Sequence, residues 1–111
     1  MRVLACGGRD YADRQTVFEA LSELQDVTLI IHGGARGADA LAGEWAQART
    51  IPCLRHPANW AVYGRSAGAV RNQDMLTAWR PQLVVAFPGG AGTGHMVRIA
   101  REAGIEVRVV A

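Results

Sequence analysis

The chain has 111 residues, half of them hydrophobic and a fifth charged, with a formal net charge of +2. That length suits a single domain over residues 1–111, burying about two thirds of the unfolded chain's surface. No apolar run approaches the roughly 20 residues that span a bilayer, and so small a charge calls for neither nucleic acid nor membrane as partner.

The hydrophobic period switches repeatedly along the chain. Residues 2–6 (RVLAC) form a short apolar run closed by Gly7-Gly8, a strand by length and termination. Asp13 offers a helix N-cap, and Val17, Leu21 and Leu24 recur at helical spacing towards Asp26. Val27–His32 reads as a second strand ended by Gly33-Gly34, and Ala38–Arg49 as a helix with Leu41, Ala42, Trp45 and Ala46 on one stripe. Pro52–His56 is a weaker third strand, residues 57–65 a loop, and Ser66 the expected start of a helix reaching Trp79. Leu83–Phe87 is a fourth strand, Thr93–Ala103 a helix closed by Gly104, and Ile105–Val110 a last strand. Five strands alternating with four helices, two of the strands continuously apolar, predict a Rossmann-like three-layer α/β/α sandwich around a five-stranded parallel sheet.

All twelve positive residues are arginines. A phosphate-binding lysine, a Schiff-base lysine and a lysine general base are therefore excluded, and the guanidinium fork remains for phosphate or carboxylate. Cys6 and Cys53 lack disulfide or C-x-x-C spacing and are expected to be buried, reduced thiols. With no secretory signal in view, a reducing cytoplasm is the expected setting. His32, His56 and His95 share no ligand motif, and the two serines, Ser22 and Ser66, sit in no nucleophile elbow. Neither a metal nor a cofactor is expected. The helix-surface arginines Arg49, Arg80, Arg98 and Arg101 are expected to form a solvated face with acids such as Glu44 and Glu102.

Three strand exits are rich in glycine: residues 6–10 (CGGRD), 32–39 (HGGARGAD) and 88–93 (PGGAGT). In a parallel sheet these exits share one edge, where ligands bind. Glycine lets the backbone turn at positive φ and come close to a ligand, and the helix that follows presents free amides to an anion. Arg9 and Asp10 follow the first pair and could clamp phosphate or bind a ribose hydroxyl. Asp39 opens the second helix, where a carboxylate also suits the dipole, with Arg36 or Arg71 as partner. Trp60 and Tyr63 lie in the long loop and could stack on a base. Arg71 and Asn72 form a polar pair on a helix otherwise packed through Val70, Met75 and Trp79.

These residues carry a resemblance. Pro88-Gly89-Gly90-Ala91-Gly92-Thr93 resembles the P-G-G-x-G-T signature of the SLOG superfamily, which includes the Lonely Guy phosphoribohydrolases and proteins long misnamed lysine decarboxylases. G-G-R-D-Y at 7–11, G-G-A-x-G-A-D at 33–39, W-x-x-Y-G-R-x-A-G at 60–68 and R-N-x-x-M at 71–75 resemble its small YspA-like branch. The resemblance implies a nucleotide-binding domain in which Pro88, Gly89, Gly90, Gly92 and Thr93 hold phosphate or ribose. Gly7 and Gly8 would lie beside them, with Gly33, Gly34, Ala35 and Gly37 as the opposing lip and a homodimer, covering Trp45 and Trp79, as the assembly. The phosphoribohydrolases place a glutamate three residues after that threonine, and here Met96 stands in its place. The first reading is a chain that binds a nucleotide or nucleotide-derived metabolite as a sensor or a poorly characterised enzyme, and two further activities are weighed beside it. One is N-glycosidic hydrolysis of a nucleoside monophosphate or ADP-ribose-like compound, with Asp10 or Asp39 replacing the glutamate and Arg71 assisting. The other is single-stranded DNA binding, as in DprA, which the dispersed arginines disfavour.

Overall fold

The computed structural model describes residues 1–111. Along the chain lie β1 (Arg2–Cys6), α1 (Arg14–Ser22), β2 (Leu29–His32), α2 (Ala38–Ala48) and β3 (Cys53–Arg55). They are followed by α3 (Trp60–Tyr63), α4 (Ala67–Trp79), β4 (Leu83–Ala86), α5 (Ala91–Glu102) and β5 (Glu106–Val109). All five strands are parallel, in the order β3-β2-β1-β4-β5. The chain winds outwards through β2 and β3, then crosses back to place β4 against the other side of β1. This is the expected α/β class. No helix is long and apolar enough to cross a membrane.

The continuous apolar strands serve two cores. Val3, Ala5, Ile30, Leu83 and Val85 point to one face, against Val17 and Leu21 of α1 and Ala38, Ala42, Trp45 and Ala46 of α2. Their neighbours Leu4, Cys6, Ile31, Val84 and Ala86 point to the other, against Met75 and Leu76 of α4 and Met96, Ile99 and Ala100 of α5. Successive strand side chains alternate in direction, so a strand covered on both sides must be apolar throughout.

Local chemistry sets the boundaries. Asp13 caps α1 as expected, its carboxylate accepting from the backbone N–H of Thr16 (3.1 Å) and from the Thr16 hydroxyl (2.7 Å). The helix stops at Ser22, short of Asp26, whose φ of +58° turns the chain into β2. Arg2 closes the far end of α4 by donating to the carbonyls of Trp79 and Arg80, where a cation suits the helix dipole.

Several expectations need correction. The segment 57–65 is not a bare loop: Asn59 accepts from the Val62 N–H and starts the one-turn α3, followed by a 3₁₀ turn at Gly64–Ser66. Ser66 makes no side-chain cap, and α5 begins at Ala91, two residues early. Cys53 is exposed on the short edge strand β3, and only Cys6 is buried. Trp45 is buried within its own chain, its ring N–H donating to the Ser22 hydroxyl, so it offers nothing to a partner. Glu44 pairs with Arg14 rather than Arg49, while Arg98 and Glu102 do pair one turn apart.

Candidate functional site

Where the chain switches from β1's outward neighbours to β4, the two flanking connections leave the sheet in opposite directions and open a crevice at the strand ends. A cavity of about 430 Å³ occupies it. The β1 exit brings Gly7, Gly8 and Arg9, the β2 exit Gly33 and Ala35, and α2 its buried Asp39. Trp60, Arg71 and Asn72 come from α3 and α4, and Gly90, Gly92 and Thr93 from the start of α5. The three exits meet because backbone meets backbone: Gly8 N–H donates to the Pro88 carbonyl (2.8 Å), and Ala38 N–H to the Gly8 carbonyl (3.2 Å).

Three amides of the β2 exit are taken by the chain's own side chains. Asp39 Oδ2 accepts from the N–H groups of Gly33 (3.0 Å) and Ala35 (3.2 Å), and His32 Nδ1 accepts from Gly34 N–H (3.0 Å). The chain's own carboxylate thus fills the nest that the glycine pattern suggested for an anion. The amides of α5 differ. No side chain caps this 12-residue helix, and Gly90, Gly92 and Thr93 at its start line the cavity.

Arg71 supplies the deepest positive charge. Its Nη1 donates to the Gly33 carbonyl (2.8 Å) and its Nε to Asn72 Oδ1 (3.0 Å), while Asn72 Nδ2 reaches the Gly92 carbonyl and His95 Nδ1, both at 3.1 Å. Gly33 is required here, because a Cβ on it would overlap the Arg71 guanidinium. Burial lowers the Arg71 pKa while the Asp39 charge raises it, and an arginine stays protonated throughout. Burial raises the Asp39 carboxyl, against its two amide bonds and the charges of Arg71 and Arg9. Cys6, at the floor, is pushed up to about 12 by burial and then by Asp39, so it remains a thiol.

Not every expected residue reaches the cavity. Asp10 points to solvent with 92% of its side chain exposed, bound to Arg36 at 3.1 Å, because the chain turns away after Arg9. Tyr63 is half-exposed on the outer end of α3. Pro88 and Gly89 do not line it, Gly37 packs against the carbonyls of Gly8 and Arg9, and Gly34 faces a neighbouring cavity. Conversely, Ala5, Cys6, Gly68 and Met75 line the cavity without having been singled out. Cys6 ends the strand at the crevice, and Gly68 is a glycine inside a helix, so both carried a readable signal. No three His, Cys, Asp or Glu side chains gather.

His32 gives the fold a testable pH dependence. Burial, and then the Arg55 charge, hold its imidazole below the ordinary 6.5. A depressed histidine contributes stability that is complete above the unfolded value and is lost as pH falls through the folded one. The urea midpoint should therefore drop on acidification from about pH 7.5 to 5. His32→Asn, which keeps an acceptor for Gly34 N–H, should flatten that slope; an unchanged slope would refute the assignment.

Glycine-rich exits around a strand-order switch, arginines in place of lysine and a free α5 terminus define the geometry. Residues 1–63 match the family described as YspA, cpYpsA-related SLOG family, or YAcAr. The chain belongs to this family. A full-length relative is the gene 61 protein of Mycobacterium phage D29, 38% identical over 117 residues, covering 96% of this chain and 93% of that protein. In this SLOG chain Met96 is buried among Leu4, Val84 and Ile99. A thioether in that position packs, and it can neither take a proton nor balance a positive centre.

Proposed function

We propose that this SLOG chain binds a nucleotide or nucleotide-derived metabolite in the crevice between β1 and β4. One observation carries the reading: the uncapped start of α5, Arg9, and Arg71 with its second Nη group unbonded all line one cavity at the strand-order switch. Helix termini and guanidinium forks both favour phosphate. Arg9 has no carboxylate partner, and its guanidinium stands 5.7 Å from the ring centroid of Trp60, a half-exposed aromatic on which a base could stack.

The cavity favours recognition over turnover. Of the two carboxylates considered for glycosidic cleavage, Asp10 stands outside it and Asp39 already accepts two backbone hydrogen bonds. Titration calorimetry with AMP, GMP, ADP-ribose and NAD should give saturable binding by at least one of them, weakening as salt is raised. No saturable heat at millimolar ligand would overturn the reading. Release of free base, abolished by Asp39→Asn, would make the chain a hydrolase instead.

A further inference from the structure

A second cavity of about 410 Å³ adjoins the candidate site. Five residues line both: Arg9, Gly33, Ala35, Trp60 and Arg71. The charge on the two sides differs. The first cavity sets Arg9 and Arg71 against Asp39, whereas the second adds Arg36 to the same two arginines and has no carboxylate in its lining. It is the more anion-hungry compartment.

A hydrogen-bonded line leads into it. From the Gly92 carbonyl in the first turn of α5, contacts run through Asn72 to Arg71 and on to the Gly33 carbonyl at the seam. Arg71 is thereby pinned between the compartments, and Arg9 stands over Trp60 on the same wall. Arg36 is held only by Asp10, with 75% and 92% of the two side chains exposed. So open a pair is weak, and a guanidinium readily exchanges such a carboxylate for phosphate.

We infer that the ligand carries at least two linked phosphates, the nucleoside and first phosphate in the first cavity and the next passing Arg71 and Arg9 to Arg36. Its class is the nucleoside diphosphates and their esters. The inference rests on the reading that a nucleotide occupies the first cavity.

Calorimetry with AMP and ADP, on the wild type and Arg36→Ala, tests it. ADP should bind about tenfold more tightly than AMP, one added charge-assisted contact being worth about that factor. Arg36→Ala should remove that gain while leaving AMP within about twofold, since Arg36 touches only the second cavity. Asp10→Asn, which frees Arg36, should tighten ADP about two- to threefold. ADP binding no tighter than AMP, or an Arg36→Ala effect that is absent or equal for both ligands, overturns the inference and leaves the first reading standing. Failure of both ligands to bind overturns the inference, and the first reading falls with it when GMP, ADP-ribose and NAD also give no saturable heat.

Discussion

Gly37→Ala is expected to cost about 3–5 kcal/mol, a large share of the roughly 5–15 kcal/mol available to a small domain. Gly37 sits at φ +78° and ψ −130° as the residue before α2, a region almost confined to glycine that itself costs an L residue about 1–3 kcal/mol. Its added Cβ would also overlap the Gly8 carbonyl oxygen and lie 2.5 Å from that of Arg9. Those carbonyls cannot retreat, because the Gly8 oxygen accepts from Ala38 and Tyr11 and the Gly8 N–H is bonded to Pro88. Strain therefore spreads to all three strand exits. Urea unfolding at an unchanged m-value reads the loss, and a change under about 1 kcal/mol would contradict this account. Gly94→Ala is the control. Its Cβ meets nothing within 4 Å, inside α5, so it should stabilise by about 0.5–1 kcal/mol.

Arg71→Ala is expected to weaken nucleotide binding by about 10- to 100-fold, as loss of a charge-assisted contact of about 1.5–3 kcal/mol implies. Two structural consequences accompany it. The Gly33 carbonyl and Asn72 Oδ1 lose their donor, and Asp39 loses a neighbouring positive charge, so its carboxyl should move still higher. Arg71→Lys should not restore affinity, because a single ammonium cannot hold both acceptors and face the cavity. Gly33→Ala separates position from charge: the new Cβ meets the end of a flexible side chain, so the fold should survive with Arg71 displaced. Calorimetry on folded Gly33→Ala should show a loss comparable to Arg71→Ala, and wild-type affinity in either variant would remove Arg71 from the site.

Much of the fold was legible because its signals are local. The strand runs RVLAC and LVVAF, the Asp13 cap and the glycine exits each announce an element within a few residues. What escaped depends on position in space. Cys53 looked internal in an apolar segment, yet β3 is a three-residue edge strand with no neighbour beyond it. Asp10 belonged to the right loop and faces the wrong way. The short α3 was within reach, since Asn59 before Trp60 is an ordinary capping arrangement.

The site was half legible for the same reason. Glycine content marked which loops gather at the rim, and Arg71 and Asn72 stood out as a polar pair beside an apolar stripe. Composition could not reveal that Asp39, six residues along, reaches back to satisfy Gly33, nor that Arg71 crosses from another helix to the same residue. Such bonds join segments whose spacing in sequence carries no period. The second compartment, walled by Arg36 and Pro57, likewise exists only once the β2 exit and the segment leading into α3 come together.

The internal carboxylate has a last consequence. With Asp39 bracing residues 33–35, that stretch of rim is already rigid before any guest arrives, and its ordering entropy is spent during folding. Association should meet a finished mould on that side, losing little freedom there and needing no slow rearrangement of the backbone.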